Sequence, residues 1–291
     1  MRKETAMTTA PAHSRSVLQR LRGSRAFVFD MDGTLVLGDK SNHGLNPLPG
    51  ALEITALLSS RAVPFVLFTN GTARTPQQYV GMLRAVGFLL PDNGVMTPVS
   101  SAADLFRRRG YRRVLTLGGE GLEKPLREAG MEIVAPEGKP EVDAVLVGWF
   151  REFTMSALEA ACYAVWNGAK AYSCSQSLYF ATAHGKALGT SRAISAMIRD
   201  LTGARIHVIG KPALEALRCA ARQLGVRTRE LAVVGDDPSL EIPMALRGRA
   251  LAVAVNTGVG AAGAYTNLPQ KQRPHLIVHD VNELLSLYKG H

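Results

Sequence analysis

From Ala26 to the end of this 291-residue chain, short continuous apolar runs alternate with helix-length amphipathic segments. The runs are rich in β-branched and aromatic residues, and such alternation is the signature of βαβ units, a parallel sheet covered by helices. Four runs pass at once into polar residues. Phe27-Val28-Phe29 leads to Asp30-Met31-Asp32-Gly33-Thr34, Val66-Leu67-Phe68 to Thr69-Asn70-Gly71, Val208-Ile209-Gly210 to Lys211-Pro212, and Ala232-Val233-Val234-Gly235 to Asp236-Asp237. In parallel sheets these runs are buried on both faces and ligands bind beyond their carboxyl ends, so all four polar groups are expected at one edge of one sheet.

The segment Thr75-Pro76-Gln77-Gln78 places an N-cap threonine before a proline at the first helical position and a glutamine at the third. It predicts a helix from Pro76 to about Val86, ended by Gly87. Between the second and third polar segments the pattern predicts strands at 114–117, 144–147 and 170–173 and helices at 98–109, 154–167 and 190–201. An interval of that length can bury its own core. The expected fold is therefore α/β: a doubly wound, Rossmann-like parallel sheet core from residues 24–98 and 205–291, an inserted α/β cap domain at 99–204, and a loose N-terminal arm at 1–23.

Composition narrows the class. Apolar residues make up 46% and charged residues 20%, which fits an ordinary globular protein. The formal charge of +10 invites a nucleic-acid reading, but the basic residues fall in small scattered groups without zinc-finger spacing or an aromatic RNA-binding signature. A solvated surface that draws in anionic substrates is the expectation, with no nucleic-acid partner. The three cysteines, Cys162, Cys174 and Cys219, include no CxxC pair, which points to a reducing, cytoplasmic location. The first 23 residues lack the apolar core of a signal peptide. No apolar run approaches the ~20 residues that span a bilayer, so no membrane partner is expected. The glycines at 258, 260 and 263 lack the context of a dinucleotide loop and read as a turn.

Asp30 and Asp32 flank one residue at a strand end, and Asp236 supplies a third carboxylate. Such hard oxygen ligands suit Mg²⁺, which sits between carboxylates and a substrate phosphate. A carboxylate is also a nucleophile, and passing a phosphoryl group through an aspartyl-phosphate divides one hard displacement into two easier ones. The metal would screen repulsion between Asp30 and an incoming phosphate. Thr69 can donate from its hydroxyl and Asn70 from backbone or side chain to phosphoryl oxygens, while Lys211 adds positive charge. Each segment alone has an ordinary reading as a surface turn, a loop or a strand stop; their joint occurrence, always after an apolar strand, favours chemistry. The carboxyls of Asp30, Asp32 and Asp236, the amine of Lys211 and the hydroxyl of Thr69 are then expected in one divalent-ion pocket.

In this order the segments resemble the haloacid dehalogenase superfamily, whose signature is DxDGT, a Ser or Thr after a strand, a Lys, and an acidic GD motif. The resemblance spans about residues 24 to 288. The Thr-Asn form of the second motif, with the cap placed after it, is similar to the branch holding 4-nitrophenyl phosphatase, phosphoglycolate phosphatase and pyridoxal phosphate phosphatase. It implies Mg²⁺-dependent hydrolysis of small phosphomonoesters. Asp30 would be nucleophile and metal ligand, and Asp32 general acid then base with its carbonyl on the metal. Thr69, Asn70 and Gly71 would hold the phosphoryl group, Lys211 would neutralise the nucleophile and phosphate, and Asp236 would bind Mg²⁺.

Two departures matter. Where the family commonly reads GDxxxTD, this chain has Gly235-Asp236-Asp237-Pro238-Ser239-Leu240-Glu241, so Asp237 and Glu241 both stand as the supporting acid. In related caps a Thr-Asn-x-Asp pattern follows a strand. Here Ser173-Cys174-Ser175-Gln176-Ser177-Leu178-Tyr179-Phe180 replaces it, leaving Gln176 and Tyr179 as specificity residues, with Trp149 and Phe150 read as cap core. These changes keep open a non-catalytic phosphate-binding or regulatory member of the same fold. The segment from Leu158 to Trp166 presents an apolar face that is either cap core or the seam of a homodimer through the cap.

Overall fold

Strands Ala26–Asp30, Phe65–Phe68 and Leu231–Gly235 are buried along their whole length, as strands covered on both faces must be. The computed structural model describes residues 14–38, 45–182, 185–260 and 263–290. The three strands are neighbours in a six-stranded sheet ordered Leu276–Val278, Leu251–Val255, Leu231–Gly235, Ala26–Asp30, Phe65–Phe68, Val95–Met96. Every pairing in it is parallel. Asp30 lies opposite Phe68 and Phe29 opposite Val234, so Asp30, Thr69 and Asp236 leave the sheet side by side. The chain runs outward in both directions from Ala26–Asp30, and that reversal of strand order opens a crevice at the carboxyl edge.

A second parallel sheet has five strands, ordered Ile206–Val208, Lys170–Ser173, Ala144–Val147, Arg113–Leu117, Glu132–Val134. The expected α/β class and its parallel sheets are present. One placement differs from the sequence reading. Ile206–Val208 pairs with Lys170–Ser173 and not with the six-stranded sheet, so Lys211 descends from the second sheet, which reaches past residue 204. An apolar run shows that a strand is buried, whereas its hydrogen-bonding neighbour is set by tertiary structure.

Residues 15–22, expected within a loose arm, form the helix Arg15–Arg22. Its fully buried Leu21 and half-buried Val17 make an apolar stripe against the main core, and Arg22 Nε donates to the Leu287 carbonyl at 3.0 Å. Residues 1–13 of that arm lie outside the described residues. In helix Met155–Trp166 the residues Leu158, Ala161, Cys162 and Val165 are buried in the core of the second sheet. Of the two readings left open for that apolar face, it is the one packed into the core of the second sheet. Phe150 packs beside the same core, its ring 6.3 Å from that of Phe153.

The helix Pro76–Ala85 starts where its sequence says it should. Gln78 N donates to Thr75 Oγ1 at 3.2 Å and Thr75 N donates to Gln78 Oε1 at 2.8 Å, a reciprocal cap. Thr75→Ala is expected to destabilise the protein by about 1 kcal/mol. In urea unfolding the midpoint should fall while the slope stays constant; an unchanged midpoint would show that the cap contributes nothing.

Candidate active site

Asp30 ends its strand 6% exposed, and its two carboxylate oxygens have separate partners. Oδ1 accepts from Lys211 Nζ, and Oδ2 accepts from the Thr34 hydroxyl at 3.1 Å. Lys211 is 2% exposed. Its ammonium also donates to the Phe68 carbonyl at 2.8 Å and pairs with Glu241 Oε1 at 2.7 Å, so three acceptors meet three N–H bonds. Burial alone would lower the lysine, but Asp30 and Glu241 outweigh it and hold the ammonium above its usual value.

Lys211 reaches this point because the chain passes very close to its neighbours. A Cβ on Gly210 would stand 2.2 Å from the Cys174 carbonyl oxygen and 2.7 Å from Asn70 Oδ1. Asn70 then clamps the next peptide from both sides, accepting from Lys211 N and donating Nδ2 to the Lys211 carbonyl, each at 2.9 Å. The Asn70 side chain therefore positions Lys211, and the expectation that it holds a phosphoryl oxygen passes to its main chain.

Asp236 is 3% exposed beside Asp30, with Thr34 Oγ1 at 3.5 Å from its Oδ1. Its Oδ2 accepts from Val259 N at 2.6 Å. Loss of hydration, and then the charge of Asp30, push its carboxyl up to about 7. Burial pushes Glu241 up as well, with Lys211 opposing and Asp30 reinforcing the rise. Glu241 also accepts from Asp237 N at 3.2 Å. Asp237 takes another path: its Oδ1 accepts from Ser239 N at 2.7 Å and Ser239 Oγ at 2.6 Å, closing a local turn. Between the two acids left open by the sequence, Glu241 is the one inside the cluster.

Asp32 is directed differently. Its Oδ2 accepts from Thr69 Oγ1 at 3.1 Å, and that hydroxyl in turn accepts from Gly71 N at 3.0 Å. The residue is open to solvent, so the crevice around it, not a sealed core, limits its hydration. That loss of hydration comes first in raising its carboxyl to about 6; Asp30 adds to the rise, while Thr69 and Lys211 oppose it. Asp30 and Asp236 thus share the Thr34 hydroxyl, while the Asp32 carboxylate is engaged by Thr69. Among the described residues no three Asp, Glu, His or Cys side chains are grouped to hold a metal ion.

The specificity residues read from the cap are less closely tied to this cluster. Gln176 donates Nε2 to Ser173 Oγ at 2.9 Å, and Tyr179 sits half exposed opposite Leu188 in a hairpin, Tyr179–Thr182 with Gly185–Leu188. Trp149 N donates to Thr72 Oγ1 at 2.8 Å, which joins the second sheet's loops to the segment after Thr69.

Two contributors escaped the sequence reading. Thr34 was visible in its motif but had no role, although it stands between Asp30 and Asp236. The loop after Leu251–Val255 was read as a turn, yet it holds Asp236 on two sides: Val259 N binds the carboxylate, and the Tyr265 hydroxyl donates to the Asp236 carbonyl. A Cβ on Gly258 would stand 1.9 Å from Asp236 Oδ2. A glycine-rich segment directly after a fully buried strand was the available signal.

Comparison with known proteins agrees with this geometry. A haloacid dehalogenase-like hydrolase family model matches residues 27–132, and a second HAD-hydrolase-like model matches residues 208–284, together more than half of the chain. The chain is 27% identical over 238 residues to 5'-nucleotidase YutF of Bacillus subtilis, covering 81% of this chain and 88% of that protein. It is 28% identical over 251 residues to an acid sugar phosphatase of Staphylococcus epidermidis, covering 86% and 92%. The fold superposes on the crystal structure of 4-nitrophenylphosphatase from Thermotoga maritima with a TM-score of 0.81 at 25% identity, over 92% of this chain and 99% of that one. A glycerol phosphate phosphatase from Mycobacterium tuberculosis, solved in complex with magnesium, gives a TM-score of 0.80 at 27% identity over 91% and 78%. With both halves of the site inside the matched segments, the chain belongs to the haloacid dehalogenase-like hydrolases.

Proposed function

We propose that this protein hydrolyses small phosphomonoesters through a phosphorylated Asp30. The observation that carries the reading is the division of labour among the carboxylates. Asp30 is fixed between an ammonium and a hydroxyl at the bottom of the crevice, while Asp32 stands solvent-accessible beside it on Thr69. In this reading one carboxylate attacks and the other moves protons.

In the first step an Asp30 oxygen attacks phosphorus, the bond to the leaving oxygen breaks, and Asp32 gives its proton to the departing alkoxide. A raised carboxyl is suited to carry that proton. In the second, Asp32 takes a proton from water as the water oxygen attacks the phosphoryl group, which frees Asp30 and inorganic phosphate. Lys211 holds Asp30 in place throughout, and Asn70 holds Lys211 while its main-chain N–H faces the phosphoryl oxygens. The second sheet and its helices close over the leaving group as a cap, between core segments on either side, and keep bulk water from the intermediate.

The donor set fits a magnesium ion. Three buried acids, Asp30, Asp236 and Glu241, stand against the buried ammonium of Lys211, and all the free ligands are hard oxygens. Asp30, Asp236 and the main-chain carbonyl of Asp32 would hold Mg²⁺, which when bound screens the nucleophile from the phosphate and stabilises developing charge. A cytoplasmic site of action is supported by three buried free cysteines, and among the described residues no helix is long and apolar enough to cross a membrane.

With Mg²⁺ and 4-nitrophenyl phosphate the protein is expected to release 4-nitrophenol, EDTA to stop the release, and Asp30→Asn to abolish it. An unchanged Asp30→Asn rate overturns the mechanism, and phosphate binding without any turnover selects the non-catalytic reading. Asn70→Ala unclamps Lys211 and is expected to lower kcat about 10²-fold with little change in Tm; an equal loss in Tm and kcat would make Asn70 a folding residue. Gly258→Ala displaces the Asp236 carboxylate and should weaken divalent-ion binding about 10- to 100-fold. Mn²⁺ titration followed by electron paramagnetic resonance reads this directly, and an unaltered isotherm removes Asp236 from the metal set.

A further inference from the structure

The strand Ile206–Val208 lies at the edge of the five-stranded sheet, with a neighbour on one side only. Against it, helix Thr190–Thr202 and the loop at Gln176 enclose a cavity of about 280 Å³. That is close to the ~300 Å³ at which small-molecule sites begin. Neither Asp30, Asp32 nor Lys211 lines it. Asp236 and Glu241 do not line it either.

Its chemistry is one-sided. Arg199 and Arg205 both line it and no carboxylate does. Among the described residues neither guanidinium takes part in an ion pair or hydrogen bond. Ser195, also in the lining and 2% exposed, has a buried hydroxyl without a hydrogen-bond partner. Native proteins seldom leave such a group unsatisfied. Half-buried Ile206 and Val208 form an apolar wall. Gln176 is held firmly at the rim, its Nε2 on Ser173 Oγ at 2.9 Å and its main-chain carbonyl on Arg192 Nη1 at 2.9 Å. His207, between the two wall residues, is pushed below its usual value first by burial and then by Arg205 and Arg109, so the field at this edge is positive.

We propose that this cavity is a second ligand site, separate from the hydrolytic one, for a small organic dianion with a tetrahedral phosphate-type head and a short aliphatic body. The guanidinium forks of Arg199 and Arg205 match the oxygens of such a head in charge and shape. The body lies on Ile206 and Val208.

The test is a titration of wild-type protein with n-propylphosphonate, whose carbon–phosphorus bond a phosphomonoesterase does not cut, followed in arginine Nε–Hε correlation spectra. Arg199→Lys and Arg205→Lys assign the signals. Both arginines are expected to shift along one saturable isotherm. Arg199→Ala should weaken that isotherm, read at Arg205, by about tenfold or more, and butyrate, a singly charged ligand of similar size, should bind weaker by a similar factor. Arg205→Ala, read at Arg199, should weaken it likewise and keeps the proposal testable if Arg199→Ala fails to fold. Silent signals, two independent isotherms, equal binding of butyrate, or an isotherm indifferent to both alanine variants would each overturn the site. Hydrolysis of 4-nitrophenyl phosphate, followed in parallel, reports on the other pocket alone.

Discussion

The ion pair between Lys211 and Asp30 joins two sheets that share no strand, and it does so out of reach of solvent. Removing one partner of such a pair leaves an uncompensated buried charge, a penalty of about 3–5 kcal/mol. The pair persists because the ammonium's other two hydrogens also find acceptors, Phe68 from the strand beside Asp30 and Glu241 from the helix that follows Asp236. The position of the second sheet over the first is therefore fixed by the same contacts that fix Asp30. Fold and chemistry share their residues.

The cluster carries more negative charge than the protein alone neutralises. Asp30, Asp236 and Glu241 are buried together, and burial with mutual repulsion drives the latter two upward. A core designed for stability alone would hold apolar groups here, so the imbalance marks a place where function overrides local stability. The formal charge of +10 of the whole chain is opposite in sign to this cluster.

Around the cluster, rigidity comes from main-chain groups as much as from side chains. Asn70 grips a peptide, Val259 N and Tyr265 grip Asp236 from two directions, and Thr34 spans Asp30 and Asp236. Close backbone approach at Gly210 and Gly258 makes these grips sterically feasible. Side chains so held lose little entropy when a phosphoryl group arrives, which is the physical content of a preorganised site.

The sequence by itself determined the α/β class, the cap of helix Pro76–Ala85 and the strand ends carrying Asp30, Thr69 and Asp236. Each follows from local information, an apolar run long enough for a buried strand or a capping pattern within four residues. Only tertiary structure decided that Ile206–Val208 joins the second sheet, that helix Met155–Trp166 covers cap core, that Asn70 serves Lys211, and that Glu241 and not Asp237 enters the cluster. An apolar run reports burial but not which strand it pairs with, and a carboxylate's place in the chain does not say which donor its rotamer will meet. Those choices are made between segments distant in the chain, by steric fit and by the need of every buried charge for a partner.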